Sequence, residues 1–256
     1  MNKVTSTARD AAKDLANQII RRLPPAGQQR ARRAVQRYRY RQDLVPIDEL
    51  QLAYREALHW LAFENGGEVQ GDYLEFGVCR GASMLAMHGA TEQLNMRDVR
   101  LFGFDSFEGL PPEAADQDGG VFQPGWFDAD LKLTIDRLSR AGIDWRRTFL
   151  IQKWFNQLSP ELRVAHEMQN AALVMLDCDI YSSTIEALEW CEPLIGRRCV
   201  MVFDDWHSFD LANKGLGEAK AFDEFLEKNT DIKVLRELPG YNAESKIFYV
   251  GRDPML

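Results

Sequence analysis

The sequence lacks the features that mark several common classes of protein. It has no uninterrupted apolar run of about eighteen residues, the length that a membrane-spanning helix requires. No apolar segment of the signal-peptide kind lies near its start, so we expect no secretory leader. The four cysteines and four histidines are scattered and form no C-x-x-C pair. We therefore expect neither a disulfide framework nor a zinc site, and we predict a reduced, cytoplasmic protein.

Positive charge is scarce except at the N-terminal end. The net charge of −8 argues against a nucleic-acid-binding protein, which needs a basic surface. Residues 1–42 nevertheless hold eleven Lys and Arg against two Asp, so they carry +9 and the remainder −17. We predict two helices there, 5–22 and 26–41, separated by Pro24-Pro25. This basic arm could contact a membrane surface or a partner, but its narrow apolar face favours a solvated helix on the acidic domain or on a sister subunit.

Beyond this arm, strand and helix patterns alternate as in a doubly wound α/β fold. An amphipathic helix begins near residue 48 and ends at Gly66-Gly67. The predicted strands are Tyr73–Phe76, Leu101–Phe104, Thr148–Ile151, Ala172–Leu176, Cys199–Phe203, Ile232–Leu235 and Lys246–Val250. The predicted helices among them span 82–94, 130–141, 160–168, 183–195 and 215–228. We thus predict a helical arm over residues 1–45 and one domain over 46–256, a Rossmann-like parallel sheet with an antiparallel hairpin at its edge.

The turn after the first predicted strand has an E-x-G-x-x-x-G pattern formed by Glu75, Gly77 and Gly81. Glycines let the backbone approach a ligand, and the start of the next helix offers free N–H groups. The spacing differs from that of dinucleotide enzymes and suits a carboxylate such as that of a methionine moiety, to which Ser83 could add a hydroxyl. Asp105, at the end of the second strand, is placed to hold a ribose diol. Together they predict an adenosine ligand; the alternative is an ordinary turn and a helix-capping Asp.

Two further strands end in carboxylates, Asp177 with Asp179 and Asp204 with Asp205. In a doubly wound sheet these strand ends share one edge, where the carboxylates repel one another unless a cation or protons intervene. Oxygen ligands favour Mg²⁺, Ca²⁺ or Mn²⁺, and we predict a metal held by Asp177, Asp204 and Asp205 that lowers the pKa of a substrate hydroxyl. Asp179 is the first choice for the base that accepts its proton, and His207 is the second. A helix cap and a solvated acidic loop are the alternatives.

Five blocks of the sequence occur in an order typical of one family. They are Leu74–Gly81, Asp105–Pro111, Gly125–Phe127, Leu176–Thr184 and Asp204-Asp205, within a stretch from about residue 46 to 250. These blocks resemble the macrocin O-methyltransferase family of class I S-adenosylmethionine-dependent methyltransferases. The resemblance implies a seven-stranded sheet with an antiparallel last strand, methylation of a sugar hydroxyl on a natural product, S-adenosylmethionine and Mg²⁺ as cofactors, and a homo-oligomer.

The resemblance also implies roles for individual residues. The cofactor contacts would be Glu75, Gly77, Gly81, Asp105 and Ser106, the metal ligands Asp177, Asp204 and Asp205, and the base Asp179. Phe107–Pro111 and Gly125–Phe127 would belong to a lid. The chain departs from the family at Cys178, where Gly is usual, and in the segment Trp206–Leu216, which is longer than usual. Because of these departures, the resemblance does not identify the acceptor substrate.

Other functions stay open from the sequence alone. A metal-dependent O-methyltransferase of a catechol-like aromatic diol would use the same residues. Some related sequences are described as cephalosporin hydroxylases, but the chain lacks the two-His-one-carboxylate pattern of iron oxygenases. A non-catalytic protein that binds an adenosine ligand, with the basic arm docked on a partner, is the third alternative. Retention of all four carboxylates argues against that last reading.

Overall fold

The computed structural model describes residues 44–252, together with Pro24 and Gly27. The predicted helical arm, residues 1–45, therefore lies almost wholly outside the described residues and stays a prediction. Within the described part of the chain, no helix is long and apolar enough to cross a membrane.

The described residues form alternating strands and helices, as the periodicity predicted. The strands are β1 (Asp72–Phe76), β2 (Leu101–Asp105), β3 (Thr148–Gln152), β4 (Ala171–Leu176), β5 (Cys199–Phe203), β6 (Ile232–Pro239) and β7 (Lys246–Arg252). The α-helices are α1 (Ile47–Glu64), α2 (Ala82–Gln93), α3 (Leu131–Arg140), α4 (Pro160–Ala165), α5 (Tyr181–Cys191) and α6 (Gly217–Lys228). Short 3₁₀ turns fill the segments 112–120, 155–157 and 208–214.

All seven strands join one sheet in the order β3-β2-β1-β4-β5-β7-β6. The first five strands are parallel, and β7 runs antiparallel to both β5 and β6. The predicted seven-stranded, doubly wound sheet is confirmed. The predicted hairpin is present, but β7 inserts between β5 and β6, so β6 alone forms that edge. Chain order reverses between β1 and β4, which places the ligand crevice of such folds at their carboxyl ends.

The central strands are buried on both faces, as parallel strands between two helical layers must be. Every residue of β1, β4 and β5 is buried. One apolar layer packs α1 and α2 against the sheet, and the other packs α5 and α6. This double burial holds the carboxyl ends of the strands, and the loops that follow them, on a rigid base.

Three predicted boundaries were wrong for local reasons. The helix predicted over 183–195 is α5, which begins two residues earlier and ends at Cys191; a 3₁₀ turn follows because Pro193 has no N–H to continue the helix. The helix predicted over 160–168 ends at Ala165, before Glu167 with its left-handed φ of 51°. The helix predicted over 215–228 begins at Gly217, because Gly215 adopts φ 64° and closes the preceding 3₁₀ turn.

Candidate functional site

A cavity of about 410 Å³ opens at the carboxyl ends of the parallel strands. Loops that follow all five parallel strands line it, as expected for a crevice at a topological switch point. Its lining includes these predicted site residues: Gly77, Asp105, Ser106, Asp177, Asp179, Asp204 and Asp205. The structure thus brings the predicted cofactor turn and the predicted acidic cluster into one cavity.

The turn after β1 passes very close to the end of β4. Gly77 adopts φ 99°, and a Cβ at this position would lie 1.8 Å from the carbonyl oxygen of Asp177. Only glycine fits such a contact in this backbone conformation. The first site turn and the acidic strand end are therefore packed backbone to backbone.

Asp105 fixes this turn with both of its carboxylate oxygens. Oδ2 accepts the backbone N–H of Cys79 at 2.7 Å, and Oδ1 accepts that of Phe107 at 2.6 Å. Burial raises the pKa of Asp105, and these backbone hydrogen bonds lower it. Because each carboxylate oxygen has a second lone pair, Asp105 can still accept hydroxyl groups from a ligand in the cavity.

Three of the predicted cofactor residues lie behind the cavity wall. Glu75 is fully buried and accepts the hydroxyls of Tyr73 and Ser83, each at 2.6 Å. Gly81 caps α2 with φ 77°, against the side chain of Leu138. Glu75, Gly81 and Ser83 do not line the cavity. In this arrangement the hydroxyl of Ser83 is used by Glu75, so these residues support the turn from behind.

The acidic cluster brings together carboxylates from two strand ends. Oxygens of Asp177, Asp179 and Asp205 lie within 4.8 Å of one another. Asp179 is buried and adopts a left-handed φ of 62°. Asp204 also lines the cavity, but its Oδ1 accepts the hydroxyl of Tyr241. The closest grouping therefore contains the predicted base, Asp179, while the predicted ligand Asp204 faces a tyrosine.

Burial and mutual repulsion raise the pKa of every carboxyl in this cluster. For Asp177 and Asp179 burial is the largest cause, and the neighbouring charges of Asp204 and Asp205 add to it. Burial and the charge of Asp205 likewise raise the pKa of Asp204. Burial raises the pKa of Asp205 to about 6, against the lowering effect of the Ser208 hydroxyl. The cluster therefore holds protons more tightly than exposed carboxyls do.

The donor set fits a hard divalent cation. All the ligand atoms are carboxylate oxygens, and they converge in a buried pocket where like charges cannot all ionise without compensation. Mg²⁺, Ca²⁺ and Mn²⁺ prefer all-oxygen sites of this kind, whereas zinc and non-haem iron sites typically include His or Cys ligands. A cation of this kind would compensate the negative charge of Asp177, Asp179 and Asp205.

Residues outside the predicted set hold the second acidic pair. The buried Oε2 of Glu218 accepts the backbone N–H of Asp205 at 3.0 Å, while its Oε1 has no hydrogen-bond partner. Ser208 donates its hydroxyl to Asp205 at 2.8 Å and to Glu244 at 3.2 Å. Glu218 and Glu244 come from α6 and the β6–β7 turn, so no sequence pattern near Asp205 could have revealed them.

The predicted lid stretches lie over this cavity. Gly109, Leu110, Pro111 and Phe127 line it, together with Phe122 between the two stretches. The lid packs through a small apolar cluster onto Ile180 and Leu211, which follow β4 and β5. Aromatic side chains Trp154 and Phe155 line the cavity as well.

His207 does not join the predicted base position. Its side chain is exposed and lines a separate cavity with residues 237–246, on the β6–β7 hairpin. In the sequence it lies two residues after Asp205, but the chain turns there, so His207 and its neighbour Ser208 line different cavities. Among the two predicted bases, the structure brings only Asp179 to the acidic cluster.

Comparisons with known proteins agree with this architecture. The family model of macrocin O-methyltransferase (TylF) matches residues 55–233. The demethyldecarbamoylnovobiocin O-methyltransferase of Streptomyces niveus is 26% identical over 156 residues, 55% of each chain. The mycinamicin III 3''-O-methyltransferase of Micromonospora griseorubida is 26% identical over 153 residues, 54% of this chain and 56% of its own. The chain thus spans about half the length of the curated relatives it matches.

Solved structures share the fold at low sequence identity. The O-methyltransferase NovP superposes with a TM-score of 0.65 at 20% identity, over 80% of each chain. The calicheamicin methyltransferase CalS11 superposes with a TM-score of 0.58 at 19% identity, over 88% of this chain and 93% of its own. The fold is that of class I methyltransferases. Since the family model covers most of the chain, the protein belongs to the macrocin O-methyltransferase family.

Proposed function

We propose that this protein is an S-adenosylmethionine-dependent O-methyltransferase that uses a divalent metal ion and methylates a hydroxyl of a sugar or glycosylated metabolite. The observation that carries the proposal is the close grouping of Asp177, Asp179 and Asp205 in the same cavity as Gly77 and Asp105. A cofactor turn and an acidic cluster within one cavity of about 410 Å³ can hold a methyl donor and a hydroxyl acceptor side by side.

The cofactor half of the cavity is built from the turns after β1 and β2. The carboxylate of Asp105 would accept the ribose hydroxyls, as acids at this strand end do in related nucleotide folds. Gly77 leaves space for the ligand to approach the backbone, and Ser106 lines the same region. Glu75 and Ser83 would act from behind, by fixing the turn through their mutual hydrogen bond.

The acidic half would hold the metal ion and the reacting hydroxyl. Asp177, Asp204 and Asp205 are the proposed ligands, and Mg²⁺ bound there would lower the pKa of an acceptor hydroxyl. Asp179 would accept the proton of that hydroxyl as its oxygen bonds to the methyl carbon and the carbon–sulfur bond breaks. Positioning contributes much of such a rate enhancement, on the order of 7–11 kcal/mol for well-oriented groups.

The cofactor assignment is tested by calorimetric titration of S-adenosylmethionine into the full chain. Asp105→Ala should weaken binding by about 1.5–3 kcal/mol, because it removes a charged hydrogen-bond acceptor. Asp223→Ala, an exposed acid on α6 that does not line the cavity, is the matched control and should leave affinity unchanged. Equal affinity in the wild type and Asp105→Ala would remove Asp105 from the cofactor site.

The reaction is tested by methyl transfer from radiolabelled S-adenosylmethionine to a panel of glycosides and catechols. With Mg²⁺ we expect labelled glycoside, and with EDTA we expect at most residual product. Asp179→Asn should lower turnover by a factor of about 10² to 10⁴ while S-adenosylmethionine still binds, because only proton transfer is affected. Labelling of catechols alone would contradict a sugar acceptor and support methylation of an aromatic diol instead. Full activity in EDTA would remove the metal ion from it.

A further inference from the structure

One end of the cavity has an aromatic wall. Phe209 is 55% exposed and meets Phe122 edge to face, with ring centroids 5.4 Å apart, and both residues line the cavity. The neighbour of Phe209, Ser208, donates its hydroxyl to Asp205 at 2.8 Å. The wall therefore lies beside the acidic cluster, at the acceptor end of the proposed site. An exposed aromatic ring at that place offers a flat apolar surface to a ligand.

The chain holds Phe209 there against its backbone preference. Phe209 and Asp210 have φ of 52° and 62°, a left-handed conformation that non-glycine residues rarely adopt twice in succession. The next residue, Leu211, is buried in the apolar cluster beneath the lid, and Lys214 donates its ammonium to the Phe209 carbonyl at 2.7 Å. Such strained positions persist where the surrounding structure fixes them, and they cluster at ligand sites.

Carboxyl groups outnumber cationic side chains in the same cavity. Among the described lining residues, one side chain, Lys153, is cationic, and eight carry carboxyl groups: Asp105, Glu113, Asp177, Asp179, Glu186, Asp204, Asp205 and Glu244. Lys153 follows β3, and four strand spacings, about 19 Å, separate β3 from β5 in the sheet. Lys214 lies near Phe209 but does not line the cavity, and its ammonium is used by the Phe209 carbonyl. Even with a divalent cation bound, a phosphate group would meet net repulsion at the acceptor end.

We propose that Phe209, supported edge to face by the buried ring of Phe122, binds a flat apolar part of an uncharged glycoside, and that sugars carrying phosphates are disfavoured as acceptors. This inference rests on the proposed function, because it assigns the acceptor end of that site. It makes Phe209 a specificity-determining residue. The acceptor would then receive its sugar before it is methylated, since a sugar still attached to a nucleoside diphosphate carries the excluded charge.

The test compares two forms of one sugar. 4-Nitrophenyl α-L-rhamnoside and thymidine diphosphate L-rhamnose are titrated into the full chain with S-adenosylhomocysteine and Mg²⁺ present. The aryl glycoside should bind at least about tenfold more tightly. Phe209→Ala should weaken the aryl glycoside about fivefold, and Phe209→Tyr should restore it, because the ring supplies the contact. Phe63→Ala is the matched control, since Phe63 is 82% exposed on α1 and does not line the cavity.

Each outcome decides the inference. Equal or tighter binding of the nucleotide sugar, binding of neither compound, or an unchanged affinity in Phe209→Ala would overturn it. The proposed function is tested separately, by measuring methyl transfer from labelled S-adenosylmethionine to the aryl glycoside. Binding that depends on Phe209 without methyl transfer would contradict the methyltransferase assignment and support the acceptor wall. Methyl transfer that is unchanged in Phe209→Ala and faster with the nucleotide sugar would support the methyltransferase assignment and contradict the acceptor wall.

Discussion

The carboxylate of Asp118 accepts the backbone N–H of Tyr181 at 2.8 Å, across 63 positions of sequence. Its other oxygen accepts the backbone N–H of Gly217, also at 2.8 Å. One buried residue between the two lid stretches thus caps the first turns of both α5 and α6. These helices follow the strand ends that carry the acidic cluster, so Asp118 links the segment between the two lid stretches to both helix starts.

Loss of this carboxylate should loosen both helix starts. Asp118→Ala leaves two backbone N–H groups without their acceptor, and we expect a loss of about 3 kcal/mol in the free energy of unfolding. Urea unfolding measures it. Asp118→Asn, which retains one acceptor oxygen, should lose about half as much. An unfolding midpoint in Asp118→Ala equal to that of the wild type would show that Asp118 does not support these helices.

The contact between Gly77 and Asp177 should tolerate no side chain. Gly77→Ala places a Cβ 1.8 Å from a backbone carbonyl oxygen, so either the turn or the end of β4 must move. We expect S-adenosylmethionine binding to fall more than about tenfold, as measured by calorimetry. Gly142→Ala is the matched control: its φ is similar, at 85°, but nothing lies within 4 Å of the added Cβ. Similar affinities in the two variants would mean that strain alone, and not the close approach, governs the site.

The buried carboxyl of Glu75 should make stability depend on pH. Burial raises its pKa from the ordinary 4.5 to about 8. Its stabilising contribution is full below about pH 4.5 and is lost as pH rises to about 8, because only the unfolded chain releases the proton in that range. Relative to Glu75→Gln, the wild type should lose roughly 1.4 kcal/mol of unfolding free energy per pH unit across this window.

Urea unfolding without cofactor or metal, at intervals from about pH 5 to 9, measures this dependence. Glu227→Gln, an exposed position on α6, is the control for a carboxyl outside the core. A constant difference between the wild type and Glu75→Gln over the whole range would show that Glu75 is ionised in the folded protein.

Much of the fold could be predicted because local patterns agree with the global arrangement. Short apolar runs became β1 to β5 within a residue at each end, since strands buried on both faces read as continuous hydrophobic segments. The insertion of β7 between β5 and β6 could not be predicted, because hydrophobic periodicity does not determine which strands pair. The helix boundary at Gly215 depended on a backbone angle that the pattern does not encode, whereas the missing N–H of Pro193 was visible in the sequence.

The candidate site, too, could be predicted from the sequence only in part. Strand-end carboxylates could be assigned to one edge because a parallel sheet aligns those ends. Residues such as Asp118 and Glu218 could not, since their roles arise from chain segments that meet only in three dimensions. The sequence also placed Ser83 at the ligand, whereas in the structure its hydroxyl serves Glu75. His207 shows that adjacency along the chain is a poor guide once the backbone turns.

Titration of Mg²⁺ into the full chain tests most directly whether the acidic cluster is a metal site. Calorimetry should detect one ion per chain, with affinity at least about tenfold weaker in Asp177→Asn and in Asp205→Asn, because each loses a charged oxygen ligand. Asp223→Asn should bind like the wild type. An absence of Mg²⁺ binding, or an affinity that is unchanged in both cluster variants, would contradict a metal-assisted mechanism at this site.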